Sequence, residues 1–139
     1  MIRIAAMLLA SALVAGAALA QGTPEANWPN RPVRLLAGFP AGGSTDTVAR
    51  LVAQMLGARL GQNFVVENRA GASGNLATEA VARAAPDGYT LGLATTTTHG
   101  SNAGFARALP FDPVKDFAPV SMLGSSPFVM AVSPQLPLT

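Results

Sequence analysis

Residues 38–46 read GFPAGGSTD: three glycines and a proline, then two hydroxyls, then an acid. Just upstream lies VRLLA (33–37), an apolar run of strand length; just downstream lies TVARLVAQMLGARLG (47–61), whose apolar residues recur at helical spacing. A glycine-rich turn between a strand and a helix is where α/β proteins commonly hold an anion, because helix-terminal amides point out of it.

Working outward, the same unit recurs. Val33–Ala37 is a strand candidate, Gly38–Gly43 a turn, and Ser44 or Thr45 to Leu60 a helix. Val48, Leu51, Val52, Met55, Leu56 and Leu60 fall at helical spacing along it, with Gly61 as the terminating glycine. FVVEN (64–68) is a second strand and RAGASG (69–74) a second glycine turn. NLATEAVARAAPDG (75–88) follows as a helix with Leu76, Ala77, Ala80, Val81 and Ala84 on one face, closed by its Pro-Asp-Gly. YTLGLA (89–94) is a third strand, followed by the polar run TTTTHGSN (95–102). The order βαβαβ predicts an α/β fold on a parallel sheet with right-handed crossovers. The loops at 38–46, 69–75 and 95–102 then share the carboxyl edge of the sheet, where open α/β folds bind ligands. Ala108–Phe117 reads as an ordered loop, and Pro119–Leu123 and Phe128–Val132 as two further strands.

The N-terminus has a different character. Arg3 is followed by an apolar run from Ile4 to Ala20 broken only by Ser11, and Ala18-Leu19-Ala20 resembles a cleavage site. This is the pattern of a secretory signal peptide over residues 1–20, cleaved after Ala20. The remaining chain is of single-domain size, exported and not inserted in the membrane. Residues 21–31 read as a loose leader. The formal net charge is only +2 and the basic residues are scattered, which argues against nucleic acid as a partner. With no cysteine and a single histidine, neither a disulfide framework nor a thiolate or His-rich metal site is available, and no cofactor is called for.

Several chemistries fit the glycine loops poorly. The first loop begins like a phosphate-binding G-x-x-x-x-G-K-[ST], but Ser44 stands where the lysine belongs. Gly71 and Gly74 have the wrong spacing for a dinucleotide fingerprint. Ser44, Asp46 and His99 are an exported hydrolase's triad only if the fold brings them together, and no G-x-S-x-G elbow supports it. What fits best is binding without chemistry. Two helices start at glycine turns, and Ser44, Thr45, Ser73, Asn75 and Thr95–Thr98 supply neutral polar groups for a small carboxylate. Ser44, Thr45 and Asn75 also suit N-caps, Asp46 a group satisfying first-turn amides, and His99 a polar rim residue.

The stretches P-x-R-x-[LIV] with FPAGG-x-x-D, VVENR-x-GA-x-GN, APDGYTL and PFDP-x-KDFAPV resemble the Bug (TctC-like) proteins, periplasmic solute-binding components of tripartite tricarboxylate transporters. The similarity runs from about Trp28 to the last residue. It implies a periplasmic-binding-protein-like fold of the type II, Venus-flytrap kind, with a carboxylate gripped at the first lobe by main-chain amides, hydroxyls and waters. Carried onto this chain, the first loop is Phe39 to Asp46, with Gly42, Gly43, Ser44 and Thr45 nearest the ligand. The second is Gly71, Ala72, Ser73, Gly74 and Asn75, where many relatives carry a fuller glycine run in place of Ser73. The third is Thr95 to His99, with Thr96, Thr97 and Thr98 as hydroxyl donors. Family members are roughly twice this length or more, as suits two domains. The expectation is therefore a truncated form, either a partial receptor or a non-functional fragment. It comprises an incomplete first lobe over residues 32–132, the start of a crossover at 133–139, and no second lobe. A small organic carboxylate and, where present, membrane transporter subunits are the implied partners.

Overall fold

The computed structural model describes residues 27–105, 108–126 and 129–135. The signal peptide (1–20), most of the leader (21–26) and the last residues of the expected crossover (136–139) lie outside the described residues.

Strand β1 (Val33–Ala37), helix α1 (Ser44–Leu60), strand β2 (Phe64–Asn68), helix α2 (Asn75–Ala82) and strand β3 (Thr90–Gly92) follow one another as the βαβαβ pattern predicts. The sheet is parallel, in the order β2-β1-β3, with Val33 opposite Phe64 and Arg34 opposite Thr90. The central strand is buried almost throughout, as a parallel strand covered on both faces must be. Val33, Leu35 and Ala37 alternate onto one face, where they pack with Ala49 and Ala53 of α1 and with Phe64. Leu36 points to the other face and is fully buried. On that face Arg34 donates to both oxygens of Glu67 from Nε and Nη2 (2.6 and 2.9 Å).

Helix α1 rests on the sheet through its alanines. Ala49 and Ala53 face the sheet, while Val48, Leu51 and Met55 are 40–56% exposed and Leu60 is 40% exposed. Val52 and Leu56 are partly packed against the core. Alanine has no bulk beyond Cβ, so the alanine face seats closest on the strands; spacing alone cannot choose a side on a helix apolar nearly all round. Gly61 ends α1 as expected, in a left-handed conformation with its N–H bonded to the Gly57 carbonyl (3.0 Å).

The far end of the sheet is capped by residues expected to be loose. Pro29 is buried, and Trp28 lies edge-on to Phe64 (6.5 Å between ring centroids) and beside Tyr89 (6.2 Å). Arg31 covers the Tyr89 ring at 4.1 Å and pairs with Asp87 (2.9 Å).

After β3 the polar run is not an open loop. Thr97–Ser101 winds into a wide helical turn that continues as α3 (Asn102–Phe105). Residues 108–117 are ordered as expected: Asp112 accepts from the Val114 and Lys115 amides (2.9 and 3.0 Å), and Phe111 is buried. The two further strands do not form. Pro119–Leu123 is not a strand, nor are residues 129–132, while Phe128 lies outside the described residues. Val120, Met122, Val129 and Met130 are each at least 80% exposed. β-propensity is realised only beside a partner strand with a face to bury, and these runs have neither here.

Candidate functional site

Because β1, β2 and β3 run parallel, the segments after Ala37, Asn68 and Gly92 leave from one edge. Gly74 is where they meet. A Cβ built on Gly38 would lie 2.9 Å from both the Cα and the carbonyl oxygen of Gly74, so the first two loops touch backbone to backbone. A Cβ on Gly74 itself would lie 2.7 Å from Thr98 Cγ2 and 3.4 Å from the Phe39 ring. Asn102 of α3 adds a polar tie, its amide donating to the Ser73 carbonyl (3.1 Å) and to Asn75 Oδ1 (2.7 Å).

In the first loop Gly43, not Ser44 or Thr45, holds the cap position of α1, and no side chain caps the helix. The first helical bond runs from the Thr47 N–H to the Gly43 carbonyl (3.0 Å), so the Ser44, Thr45 and Asp46 amides precede any intrahelical acceptor. Gly42, Gly43 and Ser44 are exposed and Thr45 is half-buried. Donors at a positive helix end thus face outward on the edge the loops share.

Asp46 is placed differently from its neighbours. It is 3% exposed and both oxygens are taken: Oδ2 accepts from the Gly42 N–H (2.9 Å) and Arg50 Nε (2.9 Å), and Oδ1 from Asn68 Nδ2 (2.9 Å). Arg50 above all, then the Gly42 amide and Asn68, hold its carboxyl down to about 2. Asn68 Nδ2 also donates to the Phe39 carbonyl (3.1 Å), so one side chain at the end of β2 pins the first loop.

The second loop is the strained one. Gly71, Ala72, Ser73 and Gly74 all have positive φ, at 135, 47, 54 and 89°. For Ala72 and Ser73 that conformation costs about 1–2 kcal/mol per residue. It turns the chain tightly from β2 into α2, which starts at Asn75 with Gly74 at the cap and no side-chain cap.

In the third segment Thr98 is buried and internally satisfied. Its hydroxyl accepts from the Thr95 N–H (3.1 Å) and lies 2.9 Å from His99 Nδ1, and its own amide donates to Thr95 Oγ1 (3.2 Å). The expectation of three ligand-facing hydroxyls therefore narrows: Thr96 is exposed and Thr97 half-buried, whereas Thr98 fastens the turn. His99 packs edge-on to Phe117 (4.8 Å), which packs on Phe111 (5.7 Å), and burial pushes its pKa below the ordinary histidine value. The relay a hydrolase needs is not assembled, since Asp46 orients Arg50 and Asn68, and the Nδ1 of His99 meets Thr98.

Arg50, Asn68 and Asn102 escaped sequence reasoning. Asn68 carried a usable signal, because it ends a parallel strand at the ligand edge; Arg50 carried only its spacing, one turn after Asp46. A separate open groove of about 610 Å³ runs between α1 and β2, lined by Arg50, Gln54, Gln62 and Asn63 together with Ala53, Phe64 and Val66.

Comparison with known proteins places this geometry. Residues 48–139 match the model of the tripartite tricarboxylate transporter family receptor, TctC. Protein BugT of Bordetella pertussis is 40% identical over 126 residues, covering 90% of this chain and 39% of BugT. MatC from Rhodopseudomonas palustris, solved with bound malate, superposes with a TM-score of 0.67 at 45% identity over 69% of this chain and 33% of MatC. A second R. palustris protein, solved with adipate, gives 0.60 at 44% identity over 62% of this chain and 29% of that one. The fold is that of the periplasmic binding proteins, and the chain spans about two fifths of the length of the curated relatives it matches. By its family match and its identity to these relatives, the chain belongs to the tripartite tricarboxylate transporter receptor family, TctC.

Proposed function

We propose that this chain carries one wall of a periplasmic receptor for a small organic carboxylate, delivering it to the membrane subunits of a tripartite tricarboxylate-type transporter. The observation that carries this reading is the meeting of three post-strand loops at Gly74, with the α1 amides facing outward beside them, in a chain 45% identical to a malate-bound relative. The ligand carboxylate sits against Gly42, Gly43, Ser44 and Thr45, with the Ser44 and Thr96 hydroxyls as further donors. Ser73 and Asn75 border it from the second loop, and Thr97 and His99 from the third.

The role is capture and release without covalent chemistry. Residues 1–20 direct export and are cleaved after Ala20, and no membrane insertion of the mature chain is needed. One wall buries only part of a ligand, whereas a working pocket encloses most of it. The opposite wall belongs to the length that relatives have beyond this chain, and distal selectivity resides there.

Chemical-shift titration of the chain with malate, adipate and citrate tests the proposal. Saturable shifts centred on the amides of Gly42–Thr45 at millimolar ligand are expected. Shifts absent for every acid, or scattered over the surface without saturation, overturn it.

A further inference from the structure

Resting on that reading, we propose that Arg50 is a positioning residue for the carboxylate site: it cancels the charge of Asp46 beneath the first loop and, with Asn68, holds the loop's amides in place. An acid in the first turn of α1 is at odds with an anion held at the same helix end, since like charges a few ångströms apart repel. Deleting the acid is one solution; a counter-ion is the other, and this structure has the counter-ion. Arg50 lies one turn along α1, its Nε 2.9 Å from Asp46 Oδ2 and its Nη2 3.4 Å from Asn68 Oδ1.

Asn68 closes a ring by donating to Asp46 Oδ1 and to the Phe39 carbonyl, while Asp46 accepts from the Gly42 amide. The first loop is thus tied at residue 39 and at residue 42, on either side of its turn. The carboxylate's lone pairs point into this ring and its side chain is 5% exposed, so the amides ahead of Thr47 face a ligand over a neutral pair instead of a bare anion. Among the described residues no other ionisable group is within ion-pair distance of Asp46: Glu67 pairs with Arg34 and Arg69, and His99 meets Thr98. Arg50 itself is 57% exposed and is not among the buried core residues, so its side chain adds little to the packing of the core.

The test is the affinity of the full chain for malate and for adipate at pH 7.5, compared among the unaltered protein, R50K, R50Q and D46N/R50Q, with R50M as a second neutral variant. R50K keeps the charge and is expected within about threefold of the unaltered protein. R50Q leaves Asp46 uncompensated and is expected to bind about tenfold more weakly, equivalent to about 1.4 kcal/mol. D46N/R50Q, neutral at both positions, is expected to regain most of that loss, which loss of the Arg50 hydrogen bonds alone would not allow. R50Q and R50M binding as well as the unaltered protein, or D46N/R50Q remaining as weak as R50Q, overturns the proposal while the receptor reading stands. Failure of the unaltered protein to bind either acid overturns both.

Discussion

At the scale of single residues, the interpretation of the site turns on which hydroxyls are already spent. Thr98 is spent: it is 1% exposed, and its hydroxyl holds the Thr95 amide and His99. Thr98→Val keeps the shape and strands those partners, at an expected cost of about 1–3 kcal/mol in unfolding free energy, measured by urea denaturation. Thr96→Val, at an exposed position, is expected to leave stability within about 0.5 kcal/mol and to weaken carboxylate binding instead. Gly74→Ala meets both a positive φ and the Thr98 methyl 2.7 Å away, so it is expected to lower stability by about 1–3 kcal/mol and to part the first loop from the third.

His99 gives a pH test at the same scale. Its folded pKa is depressed by burial, so between the folded and unfolded values the unfolded chain binds more protons. Stability is therefore full above the unfolded value near 6.5 and declines as pH falls through the folded one. A urea midpoint that drops on acidification from pH 7 toward pH 5, and no longer does so in His99→Phe, is the expected result. Asp46 works the same way lower down, its contribution present above the ordinary carboxylate range and lost only as pH falls toward about 2.

At the scale of elements, α1 separates what pattern reveals from what packing settles. Its length, its start after Gly43 and its left-handed end at Gly61 were all legible, because turn chemistry and helical spacing are local. Its buried face was not. The helix carries apolar residues on nearly every side, and the choice between the alanines and the larger residues depends on how near the strands lie. Ala53→Leu is expected to cost about 1–3 kcal/mol by overpacking, whereas Leu51→Ala, 56% exposed, stays within about 0.5 kcal/mol. Thermal or urea unfolding of the two variants checks the orientation.

At the scale of the whole molecule, the described residues divide into a packed sheet with two covering helices and a C-terminal stretch of exposed chain. Residues 119–126 make no ladder bonds and keep Val120 and Met122 in water. Limited proteolysis with a nonspecific protease is expected to cut there first and to leave a fragment ending near Phe117, which His99 and Phe111 hold by ring contacts. Early cleavage inside α1 or β2 would contradict this division.

The sequence by itself determined the order of strands and helices from β1 to β3, their parallel arrangement and the common edge of the three glycine-bearing segments. Hydrophobic period, glycine turns and crossover handedness are properties of a short stretch of chain or of chirality, and they need no partner to be read. Only the tertiary structure decided that the loops touch at Gly74, that Asp46 and Thr98 face inward while Ser44 and Thr96 remain open, and that α1 rests on its alanines. Those outcomes depend on distances between residues far apart in the chain: Asn68 reaches Phe39 and Asp46, and Asn102 reaches Ser73 and Asn75. A hydrogen bond across that separation leaves no periodic trace in the sequence, and it is these bonds that assign each polar side chain either to the ligand or to the scaffold.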